Sequence, residues 1–239
     1  MQVPWSFVAS VGVAVLASVC PVVSAFEVTV KNDAATDGSQ AQECMCFLSD
    51  DEAAAWLTTP CTGDIVAVQI FWKSPLGGQP AITEHSITLY APGSFPNPGS
   101  IRQNAGAVPA VIEQPTFTDG AFNEFRFLDA FQPSPQTPLS VPIQRNQTFV
   151  VSLRYFNDST GGVGATTAWD HNGCQGNRNT VQTGGAWLEA CAQGVQGDWI
   201  IRAVVDCFGD GIPATSEWGL LVLVLLIATA GTIVIHKTA

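Results

Sequence analysis

Positive charge is scarce in this 239-residue sequence: nine Lys and Arg stand against 20 Asp and Glu, a formal net charge of −11. A chain so short of cations cannot neutralise a run of phosphates, which excludes nucleic acid as a partner. Charged residues of both signs make up 12%, where a soluble domain carries about 25%. Part of the chain is therefore built for an apolar setting. Histidine is rare too, with three copies, and no His-Glu-x-x-His, Gly-x-Ser-x-Gly, phosphate loop or dinucleotide fingerprint occurs. Those absences leave no catalytic residue to nominate. Disorder is excluded as well, because 46% of residues are hydrophobic and seven Trp and 13 Phe are spread along the chain, enough to bury a core.

The two ends account for the missing charge. Residues Met1–Ala25 contain no Asp, Glu, Lys or Arg, and an apolar run from Phe7 to Val19 leads to Val23-Ser24-Ala25. This reads as a secretory signal peptide, residues 1–25, with a small-residue cleavage site. At the other end Gly219–Ile235 carries no charge and no Pro, and as a helix it would be about 26 Å long, enough for a short bilayer span. Trp218 marks one interface and Lys237 follows the far end, so residues 236–239 form a short cytoplasmic tail and everything before the span lies outside. The chain is thus expected to be exported to the cell envelope, with the inner membrane as its precursor location.

Between domain and span lies Ile212-Pro213-Ala214-Thr215-Ser216-Glu217-Trp218-Gly219. Pro213 holds Ile212 extended, Ser216 suits an N-cap, and Glu217 sits at the positive helix end. The segment, with the apolar helix and small tail after it, resembles the IPTL-CTERM sorting signals of Gram-negative bacteria. Ile212, Pro213, Ser216, Glu217, Trp218 and Gly219 match that pattern; Ala214 and Thr215 depart from it. The resemblance implies recognition and processing by an exosortase-type membrane transpeptidase, with residues 208–218 as tether and sorting motif. An ordinary single-span anchor needs the same capping chemistry and remains the alternative.

Residues 26–207 read as the exported domain. Runs of strand length recur at Phe26–Lys31, Asp64–Lys73, His85–Ala91, Ala121–Phe131, Leu139–Ile143, Gln147–Phe156, Val163–Trp169 and Trp199–Asp206, separated by turns such as Gly161-Gly162 and Gly184-Gly185. Such punctuation predicts an all-β, antiparallel, jelly-roll-like β-sandwich. In Asp64–Lys73, Val66, Val68, Ile70 and Trp72 are expected on the core face, with Ile65, Ala67, Gln69 and Phe71 on the other. Asp50–Leu57, with an acidic start and three alanines, reads as a short helix. The domain also resembles uncharacterised β-rich domains of bacterial secreted and sorting-signal proteins, which implies architecture and no activity.

Cys44, Cys46, Cys61, Cys174, Cys191 and Cys207 remain after signal removal. An even set in an exported chain predicts three disulfides. With three cysteines near each end of the domain, at least one bridge must join the two groups. Cys174–Cys191 is the expected local pair, and Cys44 and Cys46 are poor partners for each other. No second ligand pair makes a zinc site of them.

The richest binding chemistry is the loop from Trp169 to Asn179. Asp170, Asn172, Gln175, Asn177 and Asn179 offer side-chain oxygens, Arg178 a planar donor fork, and Trp169 or Trp187 a stacking platform. This set suits sugar hydroxyls of an extracellular polysaccharide, and its oxygens also suit calcium, for which a single loop carboxylate is meagre. Turn formation alone would favour the same Asn, Asp and Gly. His85 beside Glu84 and His171 beside Asp170 read as hydrogen-bonded strand-end residues. The sequence therefore favours an exported structural or ligand-binding surface protein over a secreted hydrolase with a spatially defined carboxylate pair.

Overall fold

Strand Thr148–Arg154 shows how the sequence makes its sheets: Phe149, Val151 and Leu153 alternate into the core, while Val150 and Ser152 face the other way. In the computed structural model 15 strands form among the described residues, all pairings between them antiparallel. Described are residues 26–43, 47–74, 77, 82–129, 135–156 and 167–208, all within Ser24–Asp210, one of the chain's two compact units. The signal peptide, residues 209–218 of the tether with the sorting motif, the span and the tail lie outside the described residues. Among the described residues no helix is long and apolar enough to cross a membrane.

One sheet has five strands. β1 (Phe26–Val30), β15 (Ile201–Cys207), β4 (Gly63–Trp72) and β10 (Val141–Ile143) lie in that order, and β9 (Ala121–Phe125) pairs with the far half of β4. The other has six, in the order β14 (Ala186–Glu189), β13 (Asn179–Thr183), β3 (Glu52–Thr58), β11 (Thr148–Arg154), β6 (Ser86–Tyr90) and β7 (Val111–Glu113). Ile201, Ala203 and Val205 of the first sheet and Ala53, Ala55, Leu57, Phe149 and Val151 of the second share one apolar cluster. Two small ladders complete the set, β12 (Ala168–Trp169) on β2 (Gln42–Glu43) and β5 (Ile82–Thr83) on β8 (Thr116–Phe117).

The sequence reading needs two corrections. Asp50–Leu57 is no helix: Asp50 takes a left-handed φ of 72°, and Glu52–Thr58 runs as a strand between β13 and β11. Its alanines serve a strand buried on both faces, where a small side chain lets both layers approach; tertiary burial overrides helix propensity. In β4 the register shifts against β15, Val204 facing Ala67 but Val205 facing Ile65. The extra residue, Val66, turns partly outward, and fully buried Ile65 joins Val68, Ile70 and Trp72 in the core. A bulge reverses the alternation, so the face assigned to Val66 and Ile65 is exchanged.

Segment 31–43 crosses the outer face of the five-stranded sheet. Ala35 and Ala41 pack there with Phe71, Ala168 and Ile200. Gly38 sits where a Cβ would lie 2.2 Å from a carbon of the Phe71 ring, so only glycine lets the segment lie this close. Cys61–Cys207 joins the start of β4 to the end of β15, and Cys174–Cys191 closes the local loop. One bridge thus links the two cysteine groups and the other is local, as expected; Cys44 and Cys46 lie outside the described residues.

Candidate functional site

The ladder of β12 on β2 places Trp169 opposite Gln42, and a further bridge sets it beside Trp199. Its indole is half-buried, 5.9 Å from the Trp199 ring, which lies 5.6 Å from Phe47. Gly197 makes this packing possible, since a Cβ there would stand 1.9 Å from Asp170 O and 2.8 Å from Trp169 Cδ1. Trp169 walls a cavity of about 300 Å³ whose apolar lining is Phe47, Val181 and Val195 and whose polar lining is Asp51, Gln182, Thr183 and Gln193. Asp51 is fixed by accepting from Leu48 N at 2.8 Å. The Cys174–Cys191 bridge ties the candidate loop to the turn that carries Gln193.

The residues of the predicted loop part company. Asp170 is buried and already engaged, with Oδ2 accepting from Ala34 N at 2.6 Å and Oδ1 from Asp198 N at 2.9 Å. Asn179 is buried in β13, donating to Asp198 Oδ1 at 2.5 Å and accepting from Trp199 N at 3.1 Å. It is a structural clamp and offers nothing to a ligand. Gln175 N donates to Asp198 Oδ1 at 2.9 Å, and Asn177, at φ 63°, donates its N–H to Glu189 Oε1 at 3.1 Å. Arg178 Nη1 reaches Asn32 Oδ1 at 3.1 Å. Asp170, His171 and Asn172 line a second, open concavity of about 600 Å³ with Ala34 and Ser39–Gln42, and Trp169 Nε1 donates to Gln42 Oε1 at 3.4 Å. The cavity residues Asp51, Gln182 and Gln193 were not visible in the sequence; the one signal toward them is that Gln193 stands two places beyond Cys191.

Trp187 is elsewhere. It lies on the outer face of the six-stranded sheet, ring to ring with Tyr90 at 6.3 Å, and both pack against Ala54, Trp56 and Val150. On the same face Tyr90 Oη donates to Glu52 Oε2 at 3.4 Å. Burial pushes the Glu52 carboxyl above its ordinary value, against the pull of Arg154 and of the Tyr90 hydrogen bond. The uncharged form is the better-folded one, so Glu52 favours the fold more as pH falls through its raised pKa and less as pH rises through it. Glu52→Gln is expected to raise the unfolding midpoint at pH 7, the gap closing as pH is lowered toward 4.5; parallel pH profiles of parent and variant would refute this.

The remaining singled-out groups have structural partners. Glu84, buried, accepts from Trp72 Nε1 at 3.1 Å and Phe156 N at 2.8 Å, and His85 Nε2 meets Asp50 Oδ1 at 3.2 Å beside Arg154. Among the described residues no three His, Cys, Asp or Glu side chains gather as a metal site. Compared with protein-family models, curated proteins and solved structures, the chain matches none of them.

Proposed function

We propose that this chain is an exported cell-envelope protein whose β domain, a jelly-roll-like sandwich, binds an extracellular polysaccharide in the Trp169 cavity. We further propose that an exosortase-type transpeptidase processes it at Ile212–Gly219 after a signal peptide has directed export. The observation that carries the binding reading is the cavity itself, a half-buried indole facing a polar set of amides, a hydroxyl and a carboxylate. A sugar ring has an apolar C–H face that stacks on an aromatic plane, and hydroxyls that need planar donors and acceptors, so this mixture suits it. Two disulfides fit an extracellular location.

The test is a glycan array probed with the exported protein, followed by titration of the best ligand. Trp169→Ala is expected to weaken binding about fivefold to tenfold, the worth of one aromatic contact. Because Trp169 also packs on Trp199, Gln193→Ala, exposed at the cavity, serves as the variant that leaves the core alone, and it should weaken binding too. A parent that retains no glycan, or variants that bind as the parent does, would overturn the reading. An intact C-terminus on protein from its native envelope would overturn the sorting part and leave a plain anchor.

A further inference from the structure

We propose that the Trp169 cavity selects polysaccharides that carry free amines, with the Asp51 carboxylate receiving the ammonium. The inference rests on the polysaccharide reading of this cavity and adds the charge of the sugar. Among the described residues that line the cavity, Asp51 alone is ionisable; the rest are apolar or aromatic side chains, a glycine, two glutamines and a threonine. The carboxylate is set in place before any ligand arrives. Leu48 N donates to Asp51 Oδ2 at 2.8 Å, Asp51 N donates to Leu48 O at 3.1 Å, and Asp50 takes the left-handed φ of 72° within that turn. Tyr155, just past β11, anchors the turn from the other side: its N donates to Asp51 O at 3.0 Å, and its O accepts from Asp50 N at 2.9 Å.

The second carboxylate oxygen is unanswered. Asp51 is 6% exposed, yet Oδ1 accepts no hydrogen bond among the described residues, and no Lys, Arg or His among them lies within ion-pairing distance. A carboxylate held so far from water costs free energy that a neutral hydroxyl returns in part and a counter-charge returns more fully. The half-buried indole of Trp169 belongs to the same lining, and an aromatic face attracts a cation as well as the C–H face of a sugar. Polymers of uronic acid or of sulfated sugar are excluded, because they would bring a second negative charge to Asp51 and to a chain of net charge −11. A hexosamine with a free amine meets every demand in one residue. Its ammonium has three donors, enough for Asp51 Oδ1 and for the amide oxygens of Gln182 and Gln193, and its ring offers an apolar face to Trp169.

The test is calorimetric titration of the full-length protein with glucosamine oligomers in two forms of equal length, free-amine and fully N-acetylated, at about pH 6, where the amine is charged. The free-amine form should bind about tenfold more tightly, the difference between a charged and a neutral partner for a carboxylate. That preference should persist in about 0.5 M sodium chloride, since salt screens exposed charges far more than buried ones. Asp51→Asn keeps the side-chain shape and an oxygen for Leu48 N, and it should bring the two affinities to within about twofold. Equal binding of the two oligomers by the parent would overturn the inference and leave the polysaccharide reading standing. Binding of neither, while the glycan array shows another sugar retained, overturns it in the same way; a blank array as well removes both readings. A preference that salt abolishes, or that survives in Asp51→Asn, places the amine on the acidic surface and sinks the assignment to Asp51. The salt comparison needs only the parent protein, so it decides the matter even if the variant does not fold.

Discussion

Replacing Cys61 and Cys207 together by alanine should lower stability by about 5 kcal/mol, the chain-entropy value for a loop of this length, equal to about 10–20 °C in midpoint for a domain this size. The bridge spans 146 residues, and between its ends lie most of the strands of both sheets. The native contacts around it survive the change: Phe208 N still donates to Thr62 O at 3.0 Å, and Gly63 still faces Cys207 across the ladder. Gly63 itself is fixed by that approach, since a Cβ would sit 2.1 Å from Asp206 O. The loss is therefore mostly a gain of freedom in the unfolded chain, released when the two ends of the domain are no longer tied. Cys174 and Cys191, 17 residues apart, close a far smaller loop, and their double replacement should cost about 3 kcal/mol. Denaturant unfolding of the three proteins decides the order. Equal losses in the two double variants would show that strain or residual structure governs the bridges instead of loop length.

The same bridge shows what a sequence carries. Parity of the two cysteine groups required a link between them, and Cys61–Cys207 is that link. Alternation in Thr148–Arg154 gave the right faces because nothing interrupts it, while in β4 a single bulge exchanged the faces of Ile65 and Val66 and left Val68, Ile70 and Trp72 in the core. A bulge costs one residue of register and leaves no mark in composition. Asp50–Leu57 misled for a different reason: alanine favours a helix locally, and only its neighbours β11 and β13, contributed by the distant segments Thr148–Arg154 and Asn179–Thr183, make a strand of it. The loop from Trp169 to Asn179 was legible as a place rich in polar side chains and illegible in its details. Whether an oxygen is free depends on distant backbone donors such as Ala34 N, 136 residues away from Asp170. Asp198 lay outside that loop and was invisible for the same reason. The cavity wall at Asp51, Gln182 and Gln193 comes from three separate segments, which no local pattern could have joined.

Arg202→Met should cost about 3–5 kcal/mol, the usual penalty for removing one partner of a buried ion pair. Arg202 lies in β15 with its side chain 10% exposed, and its guanidinium grips Asp33 at both oxygens, Nε to Oδ2 at 2.9 Å and Nη2 to Oδ1 at 2.5 Å. Nη2 also donates to Ala35 O at 2.7 Å, and the group lies 4.4 Å from the centre of the Phe122 ring. Asp33 is fully buried at its side chain, so loss of Arg202 strands a charge that water cannot reach. The consequence reaches the candidate site, because Asp33 and Ala35 flank Ala34, whose N–H donates to Asp170. Freed from Arg202, segment 31–43 should lift from the sheet, and Lys31, which donates to Ala35 O at 3.0 Å, should become a site of trypsin cleavage. Arg202→Met combined with Asp33→Leu removes both charges and leaves an apolar contact in their place, so the double variant should recover much of the loss. A double variant as unstable as Arg202→Met alone would mean that the packing of the arginine stem on Phe122, and not the buried carboxylate, sets the cost.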